Sequence, residues 1–396
     1  MPGVTKHIYD RDILDIHIMW NKQLKEIEKV LPREYNKNII IECLKKYYPY
    51  EWKSVEYKKM YYDKKDQSII KKHKKTRYRM PSANRLLEKN LIYKNLQSLK
   101  IKRLHKLNFN DEVYRLNCEK LWNKRKGKIE KITKKINNAR ANTQMVTPEF
   151  LDKLMGLYER KNTSQKDKVY IIIELMKYYN PKIIAFFYKL NDTELNRQLR
   201  EMAFKHLQSF NFQPRLRKQK YMVVHTKNKK RKKYLRNVYP FETFEISGCP
   251  EELAYRIENG KEQQIKSFDY FISHSSKDHK LVQKLITYEN KKGKNVFCDW
   301  INDSDYLKRS LLCKETLEVI EWRLKQSKAI IFVKSDSSLS SVWCKYELNY
   351  FLQFNRPIYF INKKDIENDH FNLIEYDSQN FYDTDYKDLI NLASHS

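Results

Sequence analysis

Glycine is scarce in this chain, with only six among 396 residues. A Rossmann dehydrogenase needs a G-x-G-x-x-G turn, and phosphate-binding loops need a comparable glycine-rich turn. The sequence contains neither pattern. This absence argues against a dehydrogenase with a dinucleotide-binding glycine loop.

Paired cysteines and long apolar runs are missing too. The six cysteines are scattered, with no C-x-x-C pair and no histidine at ligand spacing, so we expect no metal and no disulfide framework. No apolar run approaches the roughly 18 to 20 residues that span a bilayer, and charged residues follow the first few residues instead of a secretory signal. We therefore expect a soluble cytoplasmic protein with no membrane partner.

Positive charge is abundant and unevenly distributed. The chain has 80 basic and 49 acidic residues, but residues 267–396 carry 18 basic and 19 acidic residues. Residues 1–266 therefore hold 62 basic against 30 acidic residues, a net charge of about +32. Such asymmetry predicts that the first two-thirds of the chain face a polyanion. The alternative is that lysine simply coats solvated helices.

Residues 1–145 are expected to form a basic helical region. Asp10–Leu31, Asn38–Tyr48 and Asn110–Thr143 carry apolar residues at helical spacing. A basic run at 71–79 could contact phosphates while its Tyr78 stacks on a base, the alternative being a solvated mobile loop. The candidate nucleic-acid contacts in this run are Lys71, Lys72, Lys74, Lys75, Arg77 and Arg79.

Residues 146–264 are predicted to form a second helical domain with a basic β-hairpin. Thr147, Pro148 and Glu149 provide the cap and first turn of the first helix. Two strands are predicted at 221–226 and 234–239, with a basic tip between them. Like charges at the tip repel each other unless water or a polyanion screens them, so it is either mobile or a nucleic-acid contact. The candidate contacts at the tip are Lys229, Lys230, Arg231, Lys232 and Lys233.

Residues 265–396 are predicted to form an α/β domain. Helical patterns separate four short apolar strands, predicted at Phe268–His274, Lys294–Trp300, Lys328–Lys334 and Arg356–Asn362. This alternation predicts a doubly wound parallel sheet, whose ligand crevice lies at the carboxyl ends of its strands. Ser275, Ser276, Asp299 and Trp300 follow the first two strands there.

The segment Val342–Tyr350 places one carboxylate on an otherwise aromatic and apolar helix. Trp343 and Glu347 are four residues apart and therefore share a helix face. A carboxylate beside an indole can act as a general acid or base, or can stabilise a developing cation. On its own, however, such a pair is more often packing with a solvated charge.

Residues 267–365 resemble a TIR domain of the bacterial type. The resemblance depends on the order and spacing of four pieces: Phe-Ile-Ser-His-Ser-Ser-Lys-Asp, Val-Phe-Cys-Asp-Trp, Ala-Ile-Ile-Phe-Val-Lys-Ser and Ser-Ser-Val-Trp-Cys-Lys-Tyr-Glu-Leu. It implies a flavodoxin-like fold that, in many bacterial and plant members, cleaves the nicotinamide–ribose bond of NAD. The glutamate of the Trp-x-x-x-Glu helix is essential in those members, and Glu347 matches it. The first two-thirds of the chain show no such resemblance.

The same resemblance implies roles for nearby residues. NAD+ would be a substrate, with no cofactor expected. Asp299 would either touch the ligand or cap the next turn, and the loop 301–312 would mediate self-association of TIR domains. The residues implied to contact the dinucleotide or to wall its nicotinamide are Phe271, Ser275, Ser276, Asp299, Trp300 and Trp343.

Together these features predict an NAD+-cleaving hydrolase of prokaryotic antiviral defence. Oligomerisation would activate it when the basic region binds nucleic acid or a ribonucleoprotein, and the product would be ADP-ribose or a cyclised messenger. Two alternatives stay open. One is a non-catalytic TIR adaptor in which Glu347 is a surface charge. The other is a toxin module held by a protein partner or by a reverse transcriptase with its nucleic acid.

Overall fold

The computed structural model describes residues 4–211, 242–306 and 313–376. Internal contacts divide the chain into two compact units, each formed from two separate stretches. Unit 1 comprises Met1–Ala139 and Phe187–Pro240, and unit 2 comprises Arg140–Phe186 and Phe241–Ser396. The domain boundaries near residues 145 and 264 stay predictions. The predicted hairpin of residues 221–239 lies outside the described residues.

Helices dominate the chain up to residue 211, as the apolar spacing predicts. Unit 1 contains the first six helices, most of the seventh and the eleventh, whereas the eighth and ninth belong to unit 2 and the tenth spans the division. Side-chain caps begin several of them, as at Asn36, whose Oδ1 accepts the N–H groups of residues 38 and 39. The helices are α1 (Val4–Ile27), α2 (Lys37–Tyr47), α3 (Pro49–His73), α4 (Ala83–Glu88), α5 (Leu91–Gln97), α6 (Leu99–Leu107), α7 (Asp111–Ala141), α8 (Phe150–Glu159), α9 (Gln165–Met176), α10 (Pro181–Thr193) and α11 (Arg197–Ser209).

Aromatic side chains and a buried ion pair form the core of unit 1. Trp20 and Tyr62 are fully buried. Lys58 of α3 lies 3.0 Å from the Asp12 carboxylate of α1, and both side chains are buried. The Tyr62 hydroxyl donates to the same carboxylate at 2.7 Å. Because a buried charge is tolerated only when it is paired and hydrogen-bonded, this trio fixes α1 against α3.

His206 of α11 makes the stability of unit 1 depend on pH. Its ring is buried against Phe187 and Phe210, and burial lowers its pKa from 6.5 to about 4. The folded chain keeps this ring neutral, whereas the unfolded chain binds a proton below about pH 6.5. The contribution is therefore intact at pH 7 and is lost as the pH falls toward 4.

We expect this residue alone to lower the free energy of unfolding by on the order of 2 kcal/mol between pH 7 and pH 4.5. Urea unfolding of wild type and His206→Phe at both pH values isolates the effect, because acid sensitivity from other groups is common to both proteins. The free energy of unfolding of His206→Phe minus that of wild type should be larger at pH 4.5 than at pH 7. A difference that is the same at both pH values would contradict this assignment.

The α/β part of unit 2 follows the predicted alternation of strands and helices. The predicted strands are found, but the second is shorter than expected because a helix begins at Asp299. The elements are α12 (Pro250–Asn259), α13 (Lys261–Gln264), β1 (Phe268–Ser273), α14 (His279–Lys291), β2 (Val296–Phe297), α15 (Asp299–Asn302), α16 (Lys314–Lys325), β3 (Ser327–Lys334), α17 (Asp336–Leu339), α18 (Val342–Leu352), β4 (Ile358–Asn362), α19 (Lys363–Glu367) and β5 (Ile374–Glu375).

The five strands form one sheet in the order β2-β1-β3-β4-β5. Strands β1 to β4 are parallel, and β5 pairs antiparallel with β4. Register pairs Phe271 with Phe297 and with Ile330 at the centre of the sheet. This confirms the predicted flavodoxin-like fold, in which the strand order reverses beside β1 and a ligand crevice opens at the carboxyl ends of the strands.

Helices cover both faces of this sheet. On one face, α16 and α18 pack on an apolar cluster that includes Phe268, Phe332 and Phe360. On the other face, α14 and α19 pack on a cluster that includes Ile331 and Val333. Strands buried on both sides explain why the sequence shows continuous apolar runs instead of alternation.

A buried ionic cluster joins the helices before the sheet to helix α16 and to the residue after α15. Asp303, just after α15, accepts from Arg323 Nε at 2.8 Å and lies 3.7 Å from Lys266 Nζ. Lys266 also donates to Glu174 of α9 at 2.8 Å, and Gln263 accepts from Arg323 at 2.7 Å. Burial alone would raise the pKa of Asp303, but the charges of Arg323 and Lys266 outweigh it and hold the pKa below its usual value. The cluster is therefore a structural element of unit 2.

Candidate active site

Helix α18 carries Glu347 to the carboxyl ends of the strands. The hydroxyl of Ser341 caps the helix by accepting the N–H of Cys344. Cys344, Leu348 and Phe351 are buried on the sheet and fix the helix face. Glu347 is half-buried, and its Oε2 atom is shielded from solvent. The predicted carboxylate thus lies at a partly desolvated position.

The pKa of the Cys344 thiol reflects the charged and polar groups around it, Glu347 among them. Burial raises its pKa to about 12, and the charge of Glu347 adds to the shift, so the thiol stays neutral. The hydroxyls of Ser341 and Ser273 oppose the shift, whereas the charge of Asp299 raises the pKa further. Ser273 ends β1 and Asp299 follows β2, so the residues after both strands meet α18 here. The charges of Glu347 and Asp299 therefore both act on the Cys344 thiol.

A hydrogen-bond chain fixes Trp300 beside β1. Asp299 Oδ1 accepts the N–H of Trp300 at 2.8 Å, and the indole Nε1 donates to His274 Nε2 at 3.2 Å. His274 Nδ1 lies 3.1 Å from the carbonyl of Ile272, which makes Nδ1 the protonated nitrogen. Sequence reasoning missed His274, although a histidine directly after a buried strand lies in the predicted crevice.

His274, Cys298 and Asp299 bring three potential metal ligands within 4.8 Å of one another. Both nitrogens of His274 are already engaged, with Ile272 and Trp300. A metal at this position would have to break one of those bonds. The arrangement is thus better suited to orienting the indole than to holding an ion.

The loop after β1 holds Ser275 and Ser276. Ser275 Oγ accepts the N–H of Lys277, whereas Ser276 is exposed. Asp278 lies in the same loop and is buried. Its carboxylate accepts a hydrogen bond at 2.5 Å from the hydroxyl of Ser335, the residue that follows β3. Asp278 therefore ties the loops after β1 and β3 together, a role that sequence reasoning did not assign.

The two remaining aromatic candidates lie closer to the core. Phe271 is 3% exposed, and its ring stacks on Phe297 at 5.0 Å. Trp343 is half-buried against the apolar cluster beneath α18. Of the predicted nicotinamide walls, Trp300 follows the carboxyl end of β2, and Phe271 lies beneath the surface. The ligand contacts assigned to these residues stay predictions.

Gln144 clamps the edge strand next to this site. Its side-chain amide bonds both to the carbonyl and, at 3.1 Å, to the N–H of Val296. Asn290 donates to Gln144 Oε1 at 3.1 Å, and Gln144 Nε2 lies 3.3 Å from Asn302 Oδ1. Asn302 in turn accepts the N–H of Cys298 at 2.9 Å, directly before Asp299. A side chain far away in the sequence thus completes the hydrogen bonds of β2 and supports the turn that carries Asp299.

Gln144→Ala should destabilise unit 2 by about 2 to 4 kcal/mol, because several buried polar groups lose their partner. Urea unfolding followed by tryptophan fluorescence measures the change. Gln67→Ala, at an exposed position of α3, is the matched control and should change the free energy of unfolding by less than about 0.5 kcal/mol. Equal midpoints for Gln144→Ala and wild type would refute the clamp.

The basic run begins in the last turn of α3 and continues into a turn held by side-chain hydrogen bonds. The buried carboxylate of Asp66 accepts the N–H groups of Arg77, Tyr78 and Arg79 at 2.8, 2.9 and 2.7 Å. Lys74 and Arg79 adopt left-handed backbone conformations, with φ of 55° and 45°. Residues 77–79 are therefore held by Asp66, and the alternative of a solvated mobile loop stays a prediction.

Tyr78 is unavailable for stacking on a base. Its side chain is 8% exposed, with the rings of Tyr9 and Tyr62 within 5.4 Å and 5.0 Å. The expectation that Tyr78 stacks on a base is therefore wrong, because its ring completes the core beneath the turn. The candidate contacts on this run that are exposed are Lys71, Lys74, Lys75, Arg77 and Arg79.

Other predicted contacts fall where the structure gives no description. The tip residues 229–233 lie outside the described ranges, and the side chain of Lys72 is not described. Most of the predicted self-association loop, residues 307–312, lies outside them as well. In the described part of the chain, every helix is too short or too polar to cross a membrane.

An open, mostly parallel sheet with helices on both faces defines the doubly wound class of α/β folds. Comparison with protein families narrows the class, because the family model described as TIR domain matches residues 271–389. No solved structure matches the chain significantly.

Two curated relatives are similar to this chain. One is the "Putative cyclic ADP-D-ribose synthase TIR2" of Cytobacillus dafuensis, 36% identical over 380 residues, which is 96% of this chain and 97% of that protein. The other is the "Probable 3' cyclic ADP-D-ribose synthase ThsB'" of Bacillus cereus (strain MSX-D12), 37% identical over 86 residues, 22% of this chain and 44% of that protein. The chain therefore belongs to the TIR-domain family, which confirms the predicted resemblance.

Proposed function

We propose that this protein cleaves the bond between nicotinamide and ribose in NAD+, with Glu347 as the catalytic carboxylate. The observation that carries the proposal is the position of Glu347, which is half-buried beside a neutral thiol at the carboxyl edge of a parallel sheet. Cleavage of this bond develops positive charge on the ribose carbon. A carboxylate stabilises that charge more strongly where solvent is excluded.

The neighbouring side chains take supporting roles in this proposal. Trp300, oriented by His274, is placed to hold the nicotinamide ring as it leaves. Asp299 supplies a second carboxylate at the same edge and also holds the N–H of Trp300. Ser275 and Ser276 lie in the loop after β1 and are assigned to the ribose and phosphate oxygens.

The product is proposed to be a cyclic ADP-ribose. When nicotinamide leaves, either water or a nucleophile of the same molecule can form the new bond at the ribose carbon. Attack by water gives ADP-ribose, whereas internal attack gives a cyclic product lighter by one water. The printed names of both relatives describe cyclic ADP-D-ribose synthases, which favours internal attack here.

Loss of NAD+ on incubation with the purified full-length protein tests the activity. Chromatography should show nicotinamide appearing as NAD+ disappears. Intact NAD+ at every protein concentration, with and without nucleic acid, would favour the non-catalytic adaptor instead.

We further propose that the basic region regulates this activity by binding a polyanion, nucleic acid or a ribonucleoprotein, in a prokaryotic antiviral response. Residues 1–266 carry a net charge of about +32, which supports phosphate binding. Clustering on such a partner raises the effective concentration of TIR domains and favours their self-association.

Replacing Lys229, Lys230, Arg231, Lys232 and Lys233 with serine should weaken binding to single-stranded DNA or RNA. Each lost phosphate contact should lower the slope of log K against log salt by about 0.7 to 0.9. Fluorescence anisotropy at four salt concentrations measures both quantities. A matched second variant loses the same number of charges elsewhere, with serine at Lys124, Lys126, Lys128, Lys131 and Lys134. Comparing the two variants separates the effect of local contact from that of net charge. Unchanged affinity and slope in the first variant would place the contact elsewhere.

A further inference from the structure

Unit 1 contains an open cavity of about 950 Å³ between the exposed face of α3 and helix α4. Lys59, Asp63 and Ile70 line it from α3. Arg79 and Arg85 line it from the turn after α3 and from α4. Its volume lies at the upper end of the roughly 300 to 1,000 Å³ of small-ligand sites.

The two carboxylates at this cavity already have partners. Asp63 pairs with Lys59 at 2.5 Å. Burial would raise the pKa of Asp66, but the backbone N–H groups of residues 77–79 and the charge of Arg79 outweigh it and lower the pKa. Asp66 therefore stays ionised and is occupied with holding the turn. Asp66 attracts Arg79 but forms no ion pair with it, and Asp63 is taken by Lys59.

Three cations face the cavity without a carboxylate at ion-pair distance in the described ranges. They are Arg79, Arg85 and Lys89, all exposed. Arg79 Nε donates to Thr76 Oγ1, which leaves its two terminal nitrogens for another acceptor. Guanidinium groups match phosphate oxygens by forked hydrogen bonds, and a lysine adds a point charge.

The turn that presents Arg79 is held in place at an energetic cost. Arg79 has a φ of 45°, a conformation that side chains other than glycine rarely adopt. Asp66 maintains it through three backbone hydrogen bonds, and the burial of Tyr78 anchors it from below. Such strain persists where the surrounding structure enforces it, and it often marks a binding site.

The cavity also has an apolar side. Ile70 is 43% exposed and Pro81 lies beside the turn, so both can contact a base or a ribose. We propose that this cavity binds a free nucleotide, with its phosphates on Arg79, Arg85 and Lys89. This site is separate from the proposed NAD+ site and does not depend on Glu347.

Titration calorimetry of the full chain with ATP and with tripolyphosphate tests the proposal. Both should bind saturably, and the triple variant Arg79→Gln, Arg85→Gln, Lys89→Gln should weaken ATP binding at least tenfold. The control triple variant Lys22→Gln, Lys94→Gln, Lys100→Gln removes the same charge at exposed positions of other helices and should stay within twofold of wild type. Since all six positions are exposed, circular dichroism should show both variants folded.

Three outcomes would overturn the proposal. One is no saturable binding of either probe up to millimolar concentration. Another is equal weakening by both triple variants, which would indicate general charge attraction. The third is displacement of ATP by a twenty-nucleotide thymidine strand that binds more tightly through the same three residues, which would assign the phosphates to a nucleic-acid backbone. The result does not depend on NAD+ cleavage, because Glu347→Gln should bind ATP at this cavity as wild type does.

Discussion

Glu347→Gln is expected to lower the kcat for NAD+ cleavage about a thousandfold, roughly 4 kcal/mol of transition-state stabilisation. The substitution keeps the size and hydrogen-bonding shape of the side chain but removes the charge that would stabilise the ribose cation. The thermal midpoint should change little, because Glu347 lies half-buried on the surface of α18. Nicotinamide release under conditions where wild type turns over measures the effect.

Glu318→Gln is the matched control for this experiment. Glu318 is a carboxylate on α16, paired with Lys314 at 3.3 Å on the surface. Its substitution should leave kcat within a factor of two. If Glu347→Gln turned over NAD+ as fast as Glu318→Gln, Glu347 would not be the catalytic group.

Asp303→Asn should destabilise unit 2 by about 3 to 5 kcal/mol. The substitution leaves the buried guanidinium of Arg323 without its carboxylate, whereas Lys266 keeps Glu174 as a partner. Removing one partner of a buried network costs far more than losing a surface pair. Urea unfolding should show a lower midpoint with an unchanged slope.

The same Glu318→Gln variant calibrates this second result, since its ion pair is largely exposed and should contribute less than about 1 kcal/mol. An unfolding free energy for Asp303→Asn within 0.5 kcal/mol of wild type would mean that the cluster contributes nothing to stability.

The strands and the helix that carries Glu347 could be predicted from the sequence because their signals are local. An apolar run such as Phe268–Ser273 between polar turns identifies a buried strand without reference to the rest of the chain. The spacing of Trp343 and Glu347 likewise identifies a helix face. The alternation of strands and helices then predicts a parallel sheet. A parallel sheet is expected to have its ligand crevice at the carboxyl ends of its strands.

What could not be predicted depends on contacts between distant residues. Gln144 bonds to a strand that lies 152 positions later, and Lys266 reaches Glu174 across 92 positions. No periodicity signals such partners, and nothing local distinguishes Gln144 from a solvated glutamine. For the same reason, the sequence predicts base stacking for Tyr78, because its contacts with Tyr9 and Tyr62 leave no local signal.

The contacts between distant residues also affect how stable the TIR-like part would be as an isolated fragment. A sheet beginning at Phe268 contains its own strands and helices, so its sequence suggests independent folding. In unit 2, however, Gln144 and Gln263 complete buried hydrogen bonds of this part from outside that range, and Lys266 pairs with its Asp303. A fragment that starts at residue 267 should therefore be less stable than the same part within the full chain.

Incubating the full-length protein with NAD+ in water enriched in ¹⁸O, followed by mass spectrometry, tests the proposed reaction most directly. We expect one nicotinamide for each NAD+ consumed, together with an adenine-containing product that is one water lighter than ADP-ribose and carries no ¹⁸O. ADP-ribose labelled with ¹⁸O as the sole product would contradict cyclisation. Full recovery of NAD+ at high protein concentration, with and without nucleic acid, would contradict cleavage itself.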